Sequence, residues 1–150
     1  MIALIQRVSS ARVDVEGVGQ TGAIGSGLCV FLCVVVGDGR DEADWLADKI
    51  VRLRVFSEEQ GRFDLSLKDV DGAMLLVSQF TLAGDARKGN RPSFIRAARP
   101  EVAVPLMERF AVRVREAHGI DVEEGRFGAS MKVSLQNDGP VTLQLDTNHR

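Results

Sequence analysis

The chain has 150 residues, 45% hydrophobic and 27% charged, which fits one globular domain large enough to fold without disulfides or a metal. The longest apolar run, Leu28 to Val36, is nine residues, too short to cross a bilayer, and Met1 to Arg7 lacks the basic start and cleavage site of a secretory leader, so a cytoplasmic protein with no membrane partner is expected. Nineteen Lys and Arg against 21 Asp and Glu give net −2, which predicts no general pull on nucleic acid and no binding of DNA.

Ile2 to Val8 reads as a first strand, and the strict alternation from Ala11 to Glu16 as a second, half-buried one. The glycines at 17, 19 and 22 separate these from Leu28 to Val36, a continuous apolar run typical of a central strand. From Asp41 the period changes, and Ala43, Leu46, Ile50 and Leu53 form one helical stripe. Ser57 to Gly72 is a polar, hairpin-like excursion, and Met74 to Val77 is a second buried strand that runs into Ser78-Gln79-Phe80-Thr81-Leu82. Pro100 suits a helix start, Ala103, Met107, Phe110, Val114 and Ala117 give the stripe, and Gly119 is a natural stop. Met131, Val133 and Leu135 alternate, Asn137-Asp138-Gly139-Pro140 is a turn signal, and Val141, Leu143 and Leu145 alternate again. The fold class is therefore α+β: one domain over residues 1–150, a sheet with two main helices.

Several chemistries are excluded. Gly17-x-Gly19-x-x-Gly22 matches a dinucleotide fingerprint on paper, but a strand follows where a helix must open. Gly84-x-x-x-x-Gly89 resembles the start of a P-loop, yet Asn90-Arg91 stands where Lys and Ser/Thr would reach phosphate and magnesium. Cys29 and Cys33 share one strand face, have no zinc spacing, and read as inert buried thiols. No metal or cofactor is expected. His118 and His149 sit at the end of a helical pattern and next to the C-terminal residue. Neither looks fixed enough to serve as a catalytic base, so any hydrolysis is expected to run without a histidine.

Two segments remain. Between Gly84 and Arg99, five cations (Arg87, Lys88, Arg91, Arg96, Arg99) face one acid, Asp85, a local +4 that leaves −6 on the other 134 residues. Such a loop suits a partner whose phosphates touch one spot, or is a solvated loop with scattered ion pairs. Ser78-Gln79-Phe80-Thr81 ends an apolar strand, where a rigid scaffold can hold catalytic groups. In an extended chain Gln79 and Thr81 would share one face and Ser78 and Phe80 the other. Read plainly, these residues only satisfy backbone groups at a strand end. The plain reading of Gly139-Pro140 is a trans type I or II turn, since X-Pro bonds in folded proteins are cis in only about 5–6% of cases. A cis bond would be a deliberate device, and the residues alone do not choose between them.

Ser78-Gln79-Phe80-Thr81-Leu82 and Asn137-Asp138-Gly139-Pro140-Val141-Thr142 resemble the two signature motifs of D-aminoacyl-tRNA deacylases. The likeness covers nearly the whole chain, taking in Ile5-Gln6-Arg7-Val8, Lys88-Gly89-Asn90-Arg91-Pro92-Ser93-Phe94 and Gly125-Arg126-Phe127-Gly128-Ala129-Ser130-Met131, while Asp64 and Cys33 depart from the pattern. The resemblance implies a barrel-like core and a homodimer with sites at its interface. Gly139 and a cis Pro140 of one subunit would reach a pocket holding Ser78, Gln79, Phe80 and Thr81 of the other, with Arg7 orienting the Gly-Pro turn. It further implies hydrolysis of the ester at the 3′ acceptor end of D-aminoacyl-tRNA, exclusion of L-aminoacyl esters by backbone, and leakage towards glycyl-tRNA, including glycine mischarged on tRNA-Ala. Backbone N–H groups near Phe80 and Thr81 would hold the oxyanion, with help from the ribose 2′-hydroxyl, and Thr81 as a covalent nucleophile is the runner-up. Arg87, Lys88 and Arg91 would touch phosphates. Two other readings compete. One is a related editor of misacylated L-aminoacyl-tRNA with a trans Gly-Pro bond. The other is a non-catalytic RNA-binding module, against which stand the charge of −2, one Trp and no Tyr.

Overall fold

The computed structural model describes residues 1–57 and 61–149. Alternation at the N-terminus produces one long strand, β1 (Ile2–Val15), where two were expected. On one side β1 pairs antiparallel with β2 (Gly19–Ile24) and β3 (Gly27–Cys33). After helix α1 (Arg40–Val51) comes a small hairpin of β4 (Phe56–Ser57) and β5 (Phe63–Leu65). It accounts for the polar excursion from Ser57 to Gly72, of which residues 58–60 lie outside the described residues. β6 (Ala73–Ser78) then pairs parallel with β3. Helix α2 (Pro100–His118) leads to β7 (Val122–Glu124), parallel to β6, and β8 (Met131–Asp146) returns along the other side of β1. The sheet order is β2-β1-β3-β6-β7, with β8 on β1.

The run from Leu28 is apolar throughout because both faces of β3 are covered. Leu28, Val30 and Leu32, with Met74 and Leu76, pack under Leu46, Ile50, Phe110 and Val114 of the helices. Cys29, Leu75 and Val77 face the other way, onto Val8, Val13 and Ile24 inside the curl of the sheet. The curl nearly closes into a barrel where β2 approaches β7. A Cβ on Gly22 would stand 3.1 Å from the Glu124 carbonyl and 3.2 Å from Leu75, so the small residue lets the edges meet. Burial pushes the Cys29 thiol up to about 12 and raises that of Cys33, as inert thiols require. At the apolar run's far end the strand stops at Cys33, and Val36 is exposed.

Both helices differ from expectation in detail. In α1 the buried set is Ala43, Leu46, Ala47, Ile50 and Val51, while Leu53 lies past the helix end and is only half-buried. In α2 Pro100 starts the helix and Gly119 ends it with a left-handed φ of 69°. Leu106 and Ala111 join the buried stripe, and Ala117 points to solvent because the core ends a turn earlier, at Val114. The helices are clasped by charge. Arg109 donates to both oxygens of Asp44 (2.8 and 2.6 Å), and Arg113 to both of Asp48 (2.9 and 2.8 Å). His118, expected to be unfixed, lies with Nε2 2.7 Å from Asp48 and is largely buried. It belongs to this clasp. Among the described residues no helix is long and apolar enough to cross a membrane.

Candidate active site

The Ser78–Thr81 segment does not stay extended. The Gln79 N–H makes a last bond to the Leu32 carbonyl (2.8 Å), and β3 offers nothing further because it ends at Cys33. The chain therefore satisfies itself by coiling into a short helical turn, Phe80–Ala83. Its bonds run from the Leu82 N–H to the Gln79 carbonyl (3.2 Å) and from the Gly84 N–H to the Thr81 carbonyl (2.9 Å). The Phe80 and Thr81 N–H groups, ahead of the first of these bonds, take no partner inside the turn. Gln79 Nε2 donates to Thr81 Oγ1 at 2.5 Å, which leaves the hydroxyl proton of Thr81 free to donate outward. Phe80 is 57% exposed. Beneath the turn, Cys33 Sγ lies 3.5 Å from the Phe80 carbonyl.

The Asn137–Pro140 turn signal marks a real change of direction, but the strands flanking it do not pair with each other. Both pair with β1, so β8 is one strand interrupted by a large bulge. Between the pairs Gln6–Thr142 and Val8–Asn137, β1 contributes Arg7 alone and β8 contributes Asp138, Gly139, Pro140 and Val141. Asn137 Nδ2 ties the base, donating to the carbonyls of Arg7 (2.9 Å) and Val141 (3.0 Å). The Gly139–Pro140 bond is cis. Arg7 is 7% exposed and holds the bulge from behind. Its guanidinium donates to the Gly139 carbonyl (3.3 Å) and to the Val55 carbonyl. Its Nε stands 2.9 Å from Asp138 Oδ2, paired by charge although the N–H is not aligned on that oxygen. The Phe63 ring lies 5.3 Å from the guanidinium carbon, a further counterweight to a charge taken out of water. Gly139 and Pro140 are exposed, and a Cβ built on Gly139 meets nothing within 4 Å.

The basic loop is closed by paired backbone bonds between Asp85 and Ser93 (2.8 and 2.9 Å). Arg87 lies exposed at the surface but is forked onto Asp85, with Nε and Nη2 at 2.9 and 2.6 Å. Hydrogen bonds from the Arg87 side chain, then its backbone N–H, hold the Asp85 carboxyl well below the usual carboxylate range. Lys88 and Arg91 stand exposed at the tip. A cavity of about 290 Å³ opens beside Ser78, walled by Met107, Val104, Phe127, Glu108 and Glu124. Sequence reasoning did not assign it. Its trace there was the Gly125–Met131 segment, which contains Phe127.

A family model described as D-Tyr-tRNA(Tyr) deacylase matches residues 4–146. The chain belongs to this family. It is 54% identical to the D-aminoacyl-tRNA deacylase of Ruegeria pomeroyi, over 97% of this chain and 99% of that one. It is also 54% identical to the one from Chloroflexus aurantiacus, over 98% of this chain and 91% of the relative. Among solved structures, the c-Myc DNA Unwinding Element Binding Protein superposes with a TM-score of 0.90 at 40% identity, covering 98% of this chain and 99% of that one. A probable eukaryotic D-amino acid tRNA deacylase, at 18% identity, shares the fold with a TM-score of 0.84 over 96% of this chain and 97% of its own.

Proposed function

We propose that this protein hydrolyses the ester joining a D-amino acid to the 3′ end of tRNA, working as a homodimer in which the Gly139–Pro140 bulge of one subunit enters the Ser78–Thr81 site of the other. The observation that carries this reading is the Arg7-held bulge. Asp138, Gly139 and Pro140 stand exposed on a bulge held from behind by a buried arginine, and a Cβ built on Gly139 would meet nothing of the described chain within 4 Å. A device fixed so firmly and left bare suits an occupant from outside the chain. Carbonyl oxygens have two lone pairs, so the Gly139 carbonyl can accept from a substrate ammonium while it still accepts from Arg7. An amino acid gripped at its ammonium by backbone presents its α-hydrogen and side chain in fixed directions. A D side chain points out, an L side chain collides with main chain, and no side-chain recognition is needed. Glycine escapes this sieve, and glycyl-tRNA, including glycine mischarged on tRNA-Ala, is a second substrate.

The chemistry asks little of the protein because the ester is already activated. Water adds to the ester carbonyl, and the negative charge on its oxygen is met by the Phe80 and Thr81 N–H groups. The carbon–oxygen bond to the ribose then breaks. The proton lost by water ends on the ribose oxygen, with the neighbouring 2′-hydroxyl assisting its transfer. Thr81, bonded to Gln79 and with no base beside it in the turn, positions rather than attacks. Lys88 and Arg91 contact phosphates of the acceptor end, and Arg87, bound to Asp85, contributes less. The DNA element in the name of one structural relative finds no counterpart in the charge of this chain, whose excess of cations is confined to one loop on a body of net −6.

Gly139→Ala tests the reading. Its Cβ has open space within the chain, so folding stability should change by less than about 0.5 kcal/mol, while D-tyrosyl-tRNA hydrolysis drops sharply. Full activity in Gly139→Ala would overturn the cross-subunit site. Thr81→Ala should keep most of its rate, and complete loss with a covalent adduct trapped on the native protein would restore Thr81 as nucleophile.

A further inference from the structure

We propose that Phe94 is a positioning residue for deacylation: through Phe80 it braces the turn that carries Thr81 against the basic loop. The inference rests on the reading above. The turn itself is short, and the Phe80 side chain has little else to lean on. The Phe94 ring meets it edge to face, with centroids 5.2 Å apart and planes at 73°, a preferred geometry for aromatic pairs. Phe94 has no slack, because it directly follows the Asp85–Ser93 closure. Its own carbonyl accepts from the Ala97 N–H (3.0 Å), and Ala97 is bridged to Val35 at the end of the central sheet.

Gly84 shows how tightly the ring is seated. A Cβ there would stand 2.9 Å from the Thr81 carbonyl and 3.0 Å from Phe94 Cε1. The turn and the Phe94 ring therefore close on the same point from two sides, and only glycine leaves room for both. Below, the Cys33 thiol reaches the Phe80 carbonyl. The Phe80 ring is braced by Phe94 on one side while its carbonyl is held by the Cys33 sulfur, so the direction of the Phe80 and Thr81 N–H groups depends on where Phe94 sits. Loss of the ring would let the turn rock without unfolding the sheet.

The test compares Phe94→Leu, Phe94→Tyr and Gly84→Ala with the native protein, using D-tyrosyl-tRNA under steady-state conditions. Phe94→Leu should lower kcat about ten-fold, the scale on which small misplacements act, with KM within two-fold of native and an unchanged dimer. Phe94→Tyr, which keeps the ring, should restore kcat. Gly84→Ala should reproduce the kcat defect with Phe94 intact. An unchanged kcat in Phe94→Leu, on an active native protein, overturns this proposal alone. A raised KM with native kcat also overturns it, since Phe94 would then be touching RNA. A native protein inactive on D-tyrosyl-tRNA overturns the deacylase reading, and this proposal with it.

Discussion

Two arginine-centred clusters in the molecule use the same side chain to opposite ends. Arg109 and Arg113 lie partly exposed between α1 and α2, each forked onto one carboxylate. Arg7 is buried, and its donors go to main-chain carbonyls on two separate segments, Val55 and Gly139. The helix clasp joins elements that the core already holds together, with Leu46, Ile50 and Phe110 fully buried at the same interface. The Arg7 cluster holds a bulge that the sheet cannot hold by itself, since ladder pairing fails between Gln6–Thr142 and Val8–Asn137. A partly exposed carboxylate fork adds modest stability. A buried cation tied to carbonyls is costly to desolvate, and its use is to fix geometry.

The comparison predicts unequal effects, the largest at Arg7. Arg7→Met strands the Val55 and Gly139 carbonyls and should cost about 2–3 kcal/mol of stability, measured by urea unfolding. It should also lower D-tyrosyl-tRNA hydrolysis by about a hundred-fold, as expected for a displaced positioning group. Equal loss of stability with unchanged activity would break the contrast and leave Arg7 as a structural residue only.

Much of this arrangement was legible before the structure, and the rest was not for identifiable reasons. Apolar runs and periodicity located the central strands and both helices, because Leu28–Leu32 and the α2 stripe answer only to local geometry and burial. The fusion of Ile2–Val8 with Ala11–Val15, and of the two halves of β8, was invisible. Pairing with β1, a long-range event, decides that a turn signal is a bulge. The turn at Phe80 was missed because it depends on where the neighbouring strand β3 ends. The motif residues were legible through family resemblance. Phe63 beside Arg7, Phe94 on Phe80 and Asp48 beside His118 needed tertiary contacts.

Intermediate effects are expected at the loop. Lys88→Ala or Arg91→Ala should weaken binding to every tRNA a few-fold and reduce the slope of log K against log salt by about 0.7–1, read from filter binding at several ionic strengths. Arg87→Ala should do less, because Asp85 already takes its charge. Equal slopes for native and both tip variants would remove phosphate contact from the loop.

The smallest effect belongs to the clasp. Asp48→Asn should cost about 0.5–1 kcal/mol after solvent screening and leave kcat untouched. Hydrogen bonds from Arg113, then His118, hold the Asp48 carboxyl below its usual value of 3.8. The carboxylate's contribution is therefore fully present above that pH and is lost as pH falls below it. Native and Asp48→Asn unfolding curves should converge in acid. A gap that does not narrow at all between pH 5 and pH 2 would assign the loss to packing instead.

The central claim is chiral deacylation, and the most direct measurement is the time course of ester hydrolysis on matched D- and L-tyrosyl-tRNA by the purified native protein. The account predicts rapid release from the D-ester and only the spontaneous rate from the L-ester. Release from L-tyrosyl-tRNA at a comparable rate, or from neither, would contradict it.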